Sequence, residues 1–223
     1  MPEPIFSNIV VDLFIKGGPI MWPILLATLA AVAAVGERIL WWARFNKRRD
    51  RARLGEVFAA VQAGDVALAL KKCHGTDDPA VKVVEAGLAA YPGGVEEAMQ
   101  IVATDEVENA AKFLPVMDTL ITLAPLLGLL GTVTGIMGSF SAVGGSELAV
   151  EKVTGGIGEA LIATAAGLGI AICVLLPYNW CNRRSSDLSM ELHKVGSHIE
   201  GLMKRVNPTA SLGHSSPISE ESK

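Results

Sequence analysis

One carboxylic acid and a small set of hydroxyl groups lie within long apolar stretches of this 223-residue chain. Glu159 stands at the head of an uncharged run that continues from residue 160 to residue 182. Thr132 and Thr164 lie inside two such runs, and a rise of about 1.5 Å per helical residue places them at broadly similar depths. A carboxyl group binds and releases a proton, and a hydroxyl group both donates and accepts hydrogen bonds. The combination favours proton relay, because an ionisable residue within a membrane is a functional-site candidate by default.

A structural role is the alternative for each of these side chains. A threonine in a membrane helix commonly bonds to its own backbone. Glu159 is also placed to be an interfacial carboxylate near the outer lipid headgroups. Five residues at about 100° each separate Glu159 from Thr164 by roughly 140° around a helix. We therefore expect these two side chains to serve different parts of a path.

The composition indicates a membrane protein. Half of the residues are hydrophobic, 19% are charged, and the mean hydropathy is +0.40. Three stretches reach the roughly 20 apolar residues that a membrane-spanning helix needs. The predicted spans cover residues 19–42, 116–143 and 155–181. Basic residues follow the first span instead of preceding it, which favours a retained helix over a cleaved signal peptide.

Lysine and arginine residues concentrate at one end of the first and third spans. Because such residues remain on the cytoplasmic side, the N-terminus is predicted to be periplasmic and the C-terminus cytoplasmic. The residues concerned are Arg44, Lys47, Arg48, Arg49, Arg51 and Arg53 after the first span, and Arg183 and Arg184 after the third.

The segments between the spans follow from this topology, and helical patterns dominate them. They are a periplasmic amphipathic segment (1–18), a cytoplasmic helical domain (43–115), a short periplasmic loop (144–154), a cytoplasmic helix (182–206) and a disordered tail (207–223). Within the cytoplasmic domain a helix is predicted from Leu54, and Asp65 and Asp78 are predicted N-caps of the next two. The predicted fold is therefore an all-α integral membrane protein whose long helices extend into a helical cytoplasmic domain.

Small residues recur at every fourth position in the second and third spans. Such residues let helix backbones approach closely in lipid. The stripes are therefore predicted contact faces, either towards other copies of the chain or within its own hairpin. Their members are Gly131, Gly135 and Ser139 in the second span, and Ala163, Gly167 and Ala171 in the third.

Apolar residues near the C-terminus step alternately by four and three positions, as in a coiled-coil seam. This seam is consistent with two arrangements: the helix packs against other copies of the chain, or it packs on the chain's own cytoplasmic helices. The residues are Leu188, Leu192, Val195, Ile199, Leu202 and Val206.

The residue types do not favour an enzyme. None of the four histidines has a recognisable spacing to a nucleophile or a metal-ligand set, and the glycine clusters lack the lysine of a phosphate-binding loop. The three cysteines are predicted to be reduced thiols. We expect no catalytic residue, cofactor, metal or nucleic-acid partner.

Long motifs in the spans resemble those of the MotA/TolQ/ExbB proton-channel family. LAPLLGLLGTVTGIMGSF, from Leu123 to Phe140, resembles the family's second-span signature, and GGIGEALIATAAGLGIAI, from Gly155, resembles its third-span signature. PIMWPILL from Pro19, with Gly36-Glu-Arg38, is similar to its first span. The three-span layout is closer to ExbB and TolQ than to the four-span MotA.

The resemblance implies a ring subunit, a pentamer in the family, of a proton-motive-force-driven motor in a bacterial inner membrane. The ring would surround the helices of two copies of an ExbD/TolR-like single-span partner and conduct H⁺ together with that partner. It would energise an envelope process such as TonB-dependent uptake. A TonB/TolA-like protein would be a further partner, and membrane lipid would surround the ring. By motif position, Glu159, Thr132 and Thr164 belong to the proton path. A non-conducting scaffold that organises a single-span partner is the alternative.

The third span departs from the family pattern at one place. Cys173 stands where the family often has a proline, and Pro177 follows about one turn later. A proline bends a helix by removing a hydrogen bond and clashing one turn back. The bend is therefore predicted to lie closer to the cytoplasm.

Overall fold

The computed structural model describes residues 5–141 and 149–206. The regular secondary structure in these two ranges is entirely helical, without strands, which confirms the all-α prediction for this part of the chain. The tail at 207–223 and residues 144–148 of the predicted loop lie outside it. The helices are α1 (Ile5–Lys16), α2 (Met21–Arg48), α3 (Arg51–Gln62), α4 (Val66–Cys73), α5 (Pro79–Ala89), α6 (Val95–Ala111), α7 (Leu114–Ser141) and α8 (Ala149–Val206).

Three helical stretches are long and apolar enough to cross a membrane, as the sequence predicts. They are Met21–Arg48, Val95–Ser141 and Val153–Arg205. These stretches expose many large apolar side chains, such as Leu26 at 68%, Met137 at 67% and Leu176 at 71%. Helices that are apolar on their exposed faces need lipid or further protein to cover them.

The described residues fall into two compact units. The first unit contains residues 5–40, 112–141 and 149–182, and the second contains residues 41–111 and 183–206. Helices α2 and α8 contribute residues to both units.

The first unit is held together by small residues on α2 and by the contact of α7 with α8. Ala27, Ala31 and Ala34 of α2 are buried in one cluster with Met117 of α7 and Val174 of α8. Alanine brings the helix backbones close together without a large loss of side-chain entropy. This packing fixes the level at which polar residues of α7 and α8 face each other.

Side-chain caps start three helices of the second unit. The carboxylate of Asp65 accepts a hydrogen bond from the N–H of Leu68 at 2.8 Å, and that of Asp78 accepts from the N–H of Ala80 at 2.8 Å. Asp50 caps α3 in the same way, so α3 begins at Arg51, three residues before the predicted start at Leu54. A capped N-terminus satisfies backbone donors that would otherwise lack a helical partner.

A break at Lys112 and Phe113 separates α6 from α7. Pro115, the second residue of α7, has no N–H to donate to the carbonyl of Ala111, so the helical hydrogen bonding of α6 stops here. The second predicted span, 116–143, therefore lies in a separate helix, α7, which begins at Leu114. Pro125 lies inside α7 without interrupting it.

Helix α8 is a single helix of 58 residues. The predicted third span and the predicted C-terminal helix are its two parts, and α8 continues through Pro177 without a break. In the second unit Leu192 is 1% exposed and Ile199 is fully buried. The seam residues whose burial is described are therefore covered by the chain itself: Leu188, Leu192, Val195, Ile199 and Leu202 are all buried. Glu191 of α8 also forms an ion pair with Arg49.

Candidate functional site

Helices α7 and α8 of the first unit approach each other through the two small-residue stripes. A Cβ added to Gly131 would lie 2.5 Å from the Cβ of Ala163, and one added to Gly135 would lie 2.8 Å from the carbonyl oxygen of Gly156. A Cβ at Gly167 would overlap the carbonyl oxygen of Ala124. The structure therefore places these glycines against the facing span of the same chain. All six predicted stripe residues, Gly131, Gly135, Ser139, Ala163, Gly167 and Ala171, are buried.

Thr164 crosses this interface with its hydroxyl group. Its Oγ1 lies 3.0 Å from the carbonyl oxygen of Gly128 on α7 and 3.1 Å from that of Ala160 on its own helix. A hydroxyl group has one hydrogen, so it donates to one of these carbonyls at a time and keeps its lone pairs free to accept. To relay a proton, the Thr164 hydroxyl must therefore accept a hydrogen bond from another donor at its oxygen while it gives up its own hydrogen.

Thr132 lies one turn beyond Gly128 on α7. Its hydroxyl donates to the carbonyl oxygen of Leu129 on the same helix at 2.6 Å. Because Gly131 is level with Ala163, Thr132 and Thr164 lie about 3 Å apart along the helix axis. In a regular α-helix the N–H of Thr132 donates to the carbonyl of Gly128, which is the group that Thr164 also contacts. The backbone N–H of Thr132 and the hydroxyl of Thr164 therefore both point to the carbonyl oxygen of Gly128.

Glu159 lies nearer the loop end of α8 and borders a cavity of about 620 Å³. Its side chain is half-buried. The wall of the cavity is formed by small, polar and turn residues: Pro19, Ile20, Thr134, Gly135, Gly138, Ser139, Gly155 and Gly156. A carboxylate facing such a space is open to water or to a further chain.

Glu159 and Thr164 contact different elements. Thr164 faces the backbone of α7, whereas Glu159 faces the cavity and the turn between α1 and α2. The two side chains thus do not converge on one point within a single chain. A path that uses both must run along the interface of α7 and α8 and not across it.

Two residues of the first unit, Gly18 and Arg38, were not among the predicted site residues. Gly18 has φ +71° and lies against the Glu159 side chain. Arg38 is fully buried, and its guanidinium Nε and Nη2 bond to the Glu37 carboxylate at 2.5 and 2.7 Å. The Phe113 ring lies 5.4 Å from the Arg38 Cζ. The signal for Arg38 was the pair of adjacent charges, Glu37 and Arg38, within the predicted first span.

Among the residues that the structure describes, no group of three His, Cys, Asp or Glu side chains is placed to hold a metal ion. At the contact of α7 with α8 and along the adjoining cavity, the polar groups include hydroxyls, backbone carbonyls and the Glu159 carboxylate. These groups suit hydrogen-bond and proton chemistry.

Sequence comparison shows which known proteins the chain is similar to. Residues 76–194 match the model of the MotA/TolQ/ExbB proton channel family. The chain is 33% identical to the ExbB-like 1 protein of Synechocystis sp. over 216 residues, which cover 92% of this chain and 84% of that protein.

Shorter stretches are similar to two further proteins. The match to the Tol-Pal system protein TolQ of Haemophilus influenzae is 37% identical over 99 residues, 44% of this chain and 43% of that protein. The match to the biopolymer transport protein ExbB of Neisseria gonorrhoeae is 47% identical over 77 residues, 34% of this chain and 35% of that protein.

Proposed function

Because the chain belongs to the MotA/TolQ/ExbB proton channel family, we propose that it is the ring subunit of an inner-membrane motor driven by the proton motive force. In this proposal several copies, five by family resemblance, surround a dimer of an ExbD/TolR-like single-span partner. Protons pass between ring and partner, and the resulting movement is transmitted to an outer-membrane or envelope process.

One observation carries this proposal: the half-buried Glu159 borders a cavity of about 620 Å³ between helices apolar enough to cross a membrane. An ionisable group at such a site is costly in lipid, and it is tolerated where water or protein faces it. Thr134 and Ser139 also line this cavity. A space of this kind gives protons a route from the outer surface towards the interior of the ring.

The hydroxyl groups of Thr164 and Thr132 continue this route in our proposal. Thr164 already contacts two carbonyl oxygens, so its hydrogen exchanges between acceptors with little movement. Its free lone pairs accept from a water molecule or from the partner's acid.

The proposed orientation places the loop between α7 and α8 in the periplasm and the second unit in the cytoplasm. Exposed basic residues support it, since Arg44, Lys47 and Arg48 lie together at the end of α2, and such clusters stay on the cytoplasmic side. The exposed apolar side chains of the spans then face lipid or neighbouring ring subunits. A TonB/TolA-like protein completes the proposed assembly.

The test separates conduction from assembly. Glu159→Ala, Thr132→Val and Thr164→Val are expressed with the partner, and partner co-purification is measured beside an energy-dependent output such as uptake across the outer membrane. We expect retained assembly in all three variants and lost output in at least one. A non-conducting scaffold predicts full output wherever the partner is still bound, and full output in all three variants contradicts the proposed path.

A further inference from the structure

The turn between α1 and α2 lies directly against the side chain of Glu159. A Cβ built on Gly18 would overlap both Oε1 and Cδ of this glutamate, and it would lie 2.9 Å from the Cγ. The crowding therefore runs along the length of the acid and not only at its flexible tip. Within this turn only glycine leaves room for Glu159 in its observed position.

The backbone of Gly18 adds a second, independent requirement. Its φ of +71° lies in the left-handed region, which side chains with a Cβ rarely adopt. This conformation turns the chain from α1 into α2, and it brings Pro19 and Ile20 to the wall of the cavity that Glu159 borders. Gly17, beside it, is buried, and a Cβ there would lie 3.1 Å from Ile162, less than one turn from Glu159 on α8.

We infer that Gly18 is a positioning residue for Glu159: the left-handed turn packs on one side of the glutamate and holds its carboxylate towards the cavity. This inference rests on the proposed function, in which Glu159 is part of the proton path, and it assigns the orientation of Glu159 to the turn at Gly18. The turn covers one side of the side chain, and the cavity leaves the other side open. The placement of α1 therefore sets the direction from which a proton reaches Glu159.

The effect of Gly18→Ala should depend on what stands at position 159. We would measure the Tm of the purified complex for Gly18→Ala in three backgrounds: wild type, Glu159→Asp and Glu159→Ala. Gly94→Ala is the matched control, because Gly94 also has a left-handed φ, +83°, and no atom lies within 4 Å of its added Cβ. It reports the cost of backbone strain alone.

We expect Gly18→Ala to lower the Tm more than Gly94→Ala does in the wild-type background. The loss should shrink in Glu159→Asp, which withdraws the carboxylate by one methylene, and should fall to the Gly94→Ala value in Glu159→Ala. Equal losses in all three backgrounds overturn the inference. If Gly18→Ala alone fails to accumulate, recovery of folded protein in the double variant with Glu159→Ala supports the inference, and no recovery contradicts it.

The output of the motor tests the functional consequence. A displacement of about 1 Å in a reacting group can cost about 10²-fold in rate, so we expect Gly18→Ala to lower output at least tenfold with the partner still bound and Gly94→Ala to leave it unchanged. Wild-type output in Gly18→Ala contradicts the positioning role. Full output in Glu159→Ala itself would refute the proposed role of that acid, whereas the Tm comparison would still show whether Gly18 packs on it.

Discussion

The hydroxyl of Thr164 donates a hydrogen bond to the backbone carbonyl of Gly128, 3.0 Å away on the facing helix. A Cβ at Gly128 would lie 3.0 Å from the Cα of Thr164, so this bond exists only because the two backbones approach closely. The small-residue stripes and the hydroxyl groups are therefore parts of one arrangement. Packing brings the hydroxyl to its acceptor, and any variant that separates α7 from α8 also disturbs the proposed path.

Gly135→Ala should destabilise the hairpin of α7 and α8. The added Cβ would meet the Gly156 carbonyl oxygen at 2.8 Å and the Ala160 Cβ at 3.1 Å, and overpacking of this kind costs about 1–3 kcal/mol. Thermal unfolding of the detergent-solubilised protein measures the loss. The matched control is Gly158→Ala on α8, where no atom lies within 4 Å of the new Cβ. Equal stability of the two variants would show that the observed packing does not form.

Asp78→Ala should destabilise the second unit more than Asp65→Ala does. Asp78 is 2% exposed, and its carboxylate accepts from the N–H of Ala80 and, at 2.6 Å, from the N–H of Asp50. Its loss leaves two donors without an acceptor and should cost about 2–3 kcal/mol. Asp65 is exposed and caps α4 through one bond, so its loss should cost about 1 kcal/mol. Urea unfolding followed by circular dichroism compares them, and the reverse order would contradict this account.

The thiol of Cys73 should resist alkylation in the folded protein. Burial, and to a smaller extent the Glu85 carboxylate, raises the pKa of Cys73 from 9.0 to about 11. At pH 8 the folded protein then holds about a hundredfold less thiolate than the unfolded chain. Iodoacetamide labelling of a Cys173→Ser/Cys181→Ser variant should therefore be slow until urea unfolds it. Equal rates before and after unfolding would contradict the buried position of Cys73.

The same pKa shift makes a prediction about pH and stability. The folded state favours the neutral thiol, so the stabilisation is fully present below pH 9.0 and is lost as the pH rises towards about 11. Cys73→Ala should remove this part of the alkaline loss. Unfolding midpoints in urea, measured for wild type and Cys73→Ala at a series of pH values, test the sign. Between pH 9.0 and about 11 the wild type should lose stability relative to Cys73→Ala. A relative gain over this window would contradict a raised pKa of Cys73.

Cysteine labelling tests the proposed orientation. In a background with the three native cysteines replaced by serine, Ser146→Cys should react with a membrane-impermeant maleimide supplied from outside the inner membrane. Ser186→Cys, an exposed position on the inner part of α8, should react only after the membrane is permeabilised. The opposite pattern would invert the topology and place Glu159 on the cytoplasmic side.

Much of the architecture could be predicted because it depends on local rules. The apolar runs predicted three long helices, and the acid before each helix predicted the caps at Asp65 and Asp78. The start of α3 was predicted too late because Leu54 is the first clearly apolar residue, whereas the helix begins where Asp50 accepts the N–H of Arg53 at 3.0 Å. Side-chain capping, and not apolar periodicity, decides that boundary.

Contacts between distant segments were harder to predict. The spacing of Gly131 and Gly167 indicates a close contact but does not identify the facing helix, and the same holds for the apolar seam of α8. The contact of Gly18 with Glu159 joins residues 141 positions apart in the chain. It depends on a left-handed turn whose direction the sequence does not specify. The residues that control the acid were therefore visible only in three dimensions.

Proton flux tests the central claim most directly. The ring subunit and its single-span partner would be reconstituted in liposomes that contain a pH-sensitive dye, and flux would be measured under an imposed proton gradient for Glu159→Gln, Thr164→Val and Thr164→Ser. We predict that Glu159→Gln and Thr164→Val lower the flux at least about tenfold, while Thr164→Ser, which keeps the hydroxyl, retains most of it. Undiminished flux in both Glu159→Gln and Thr164→Val, with the partner still bound, would contradict the proton path proposed for this chain.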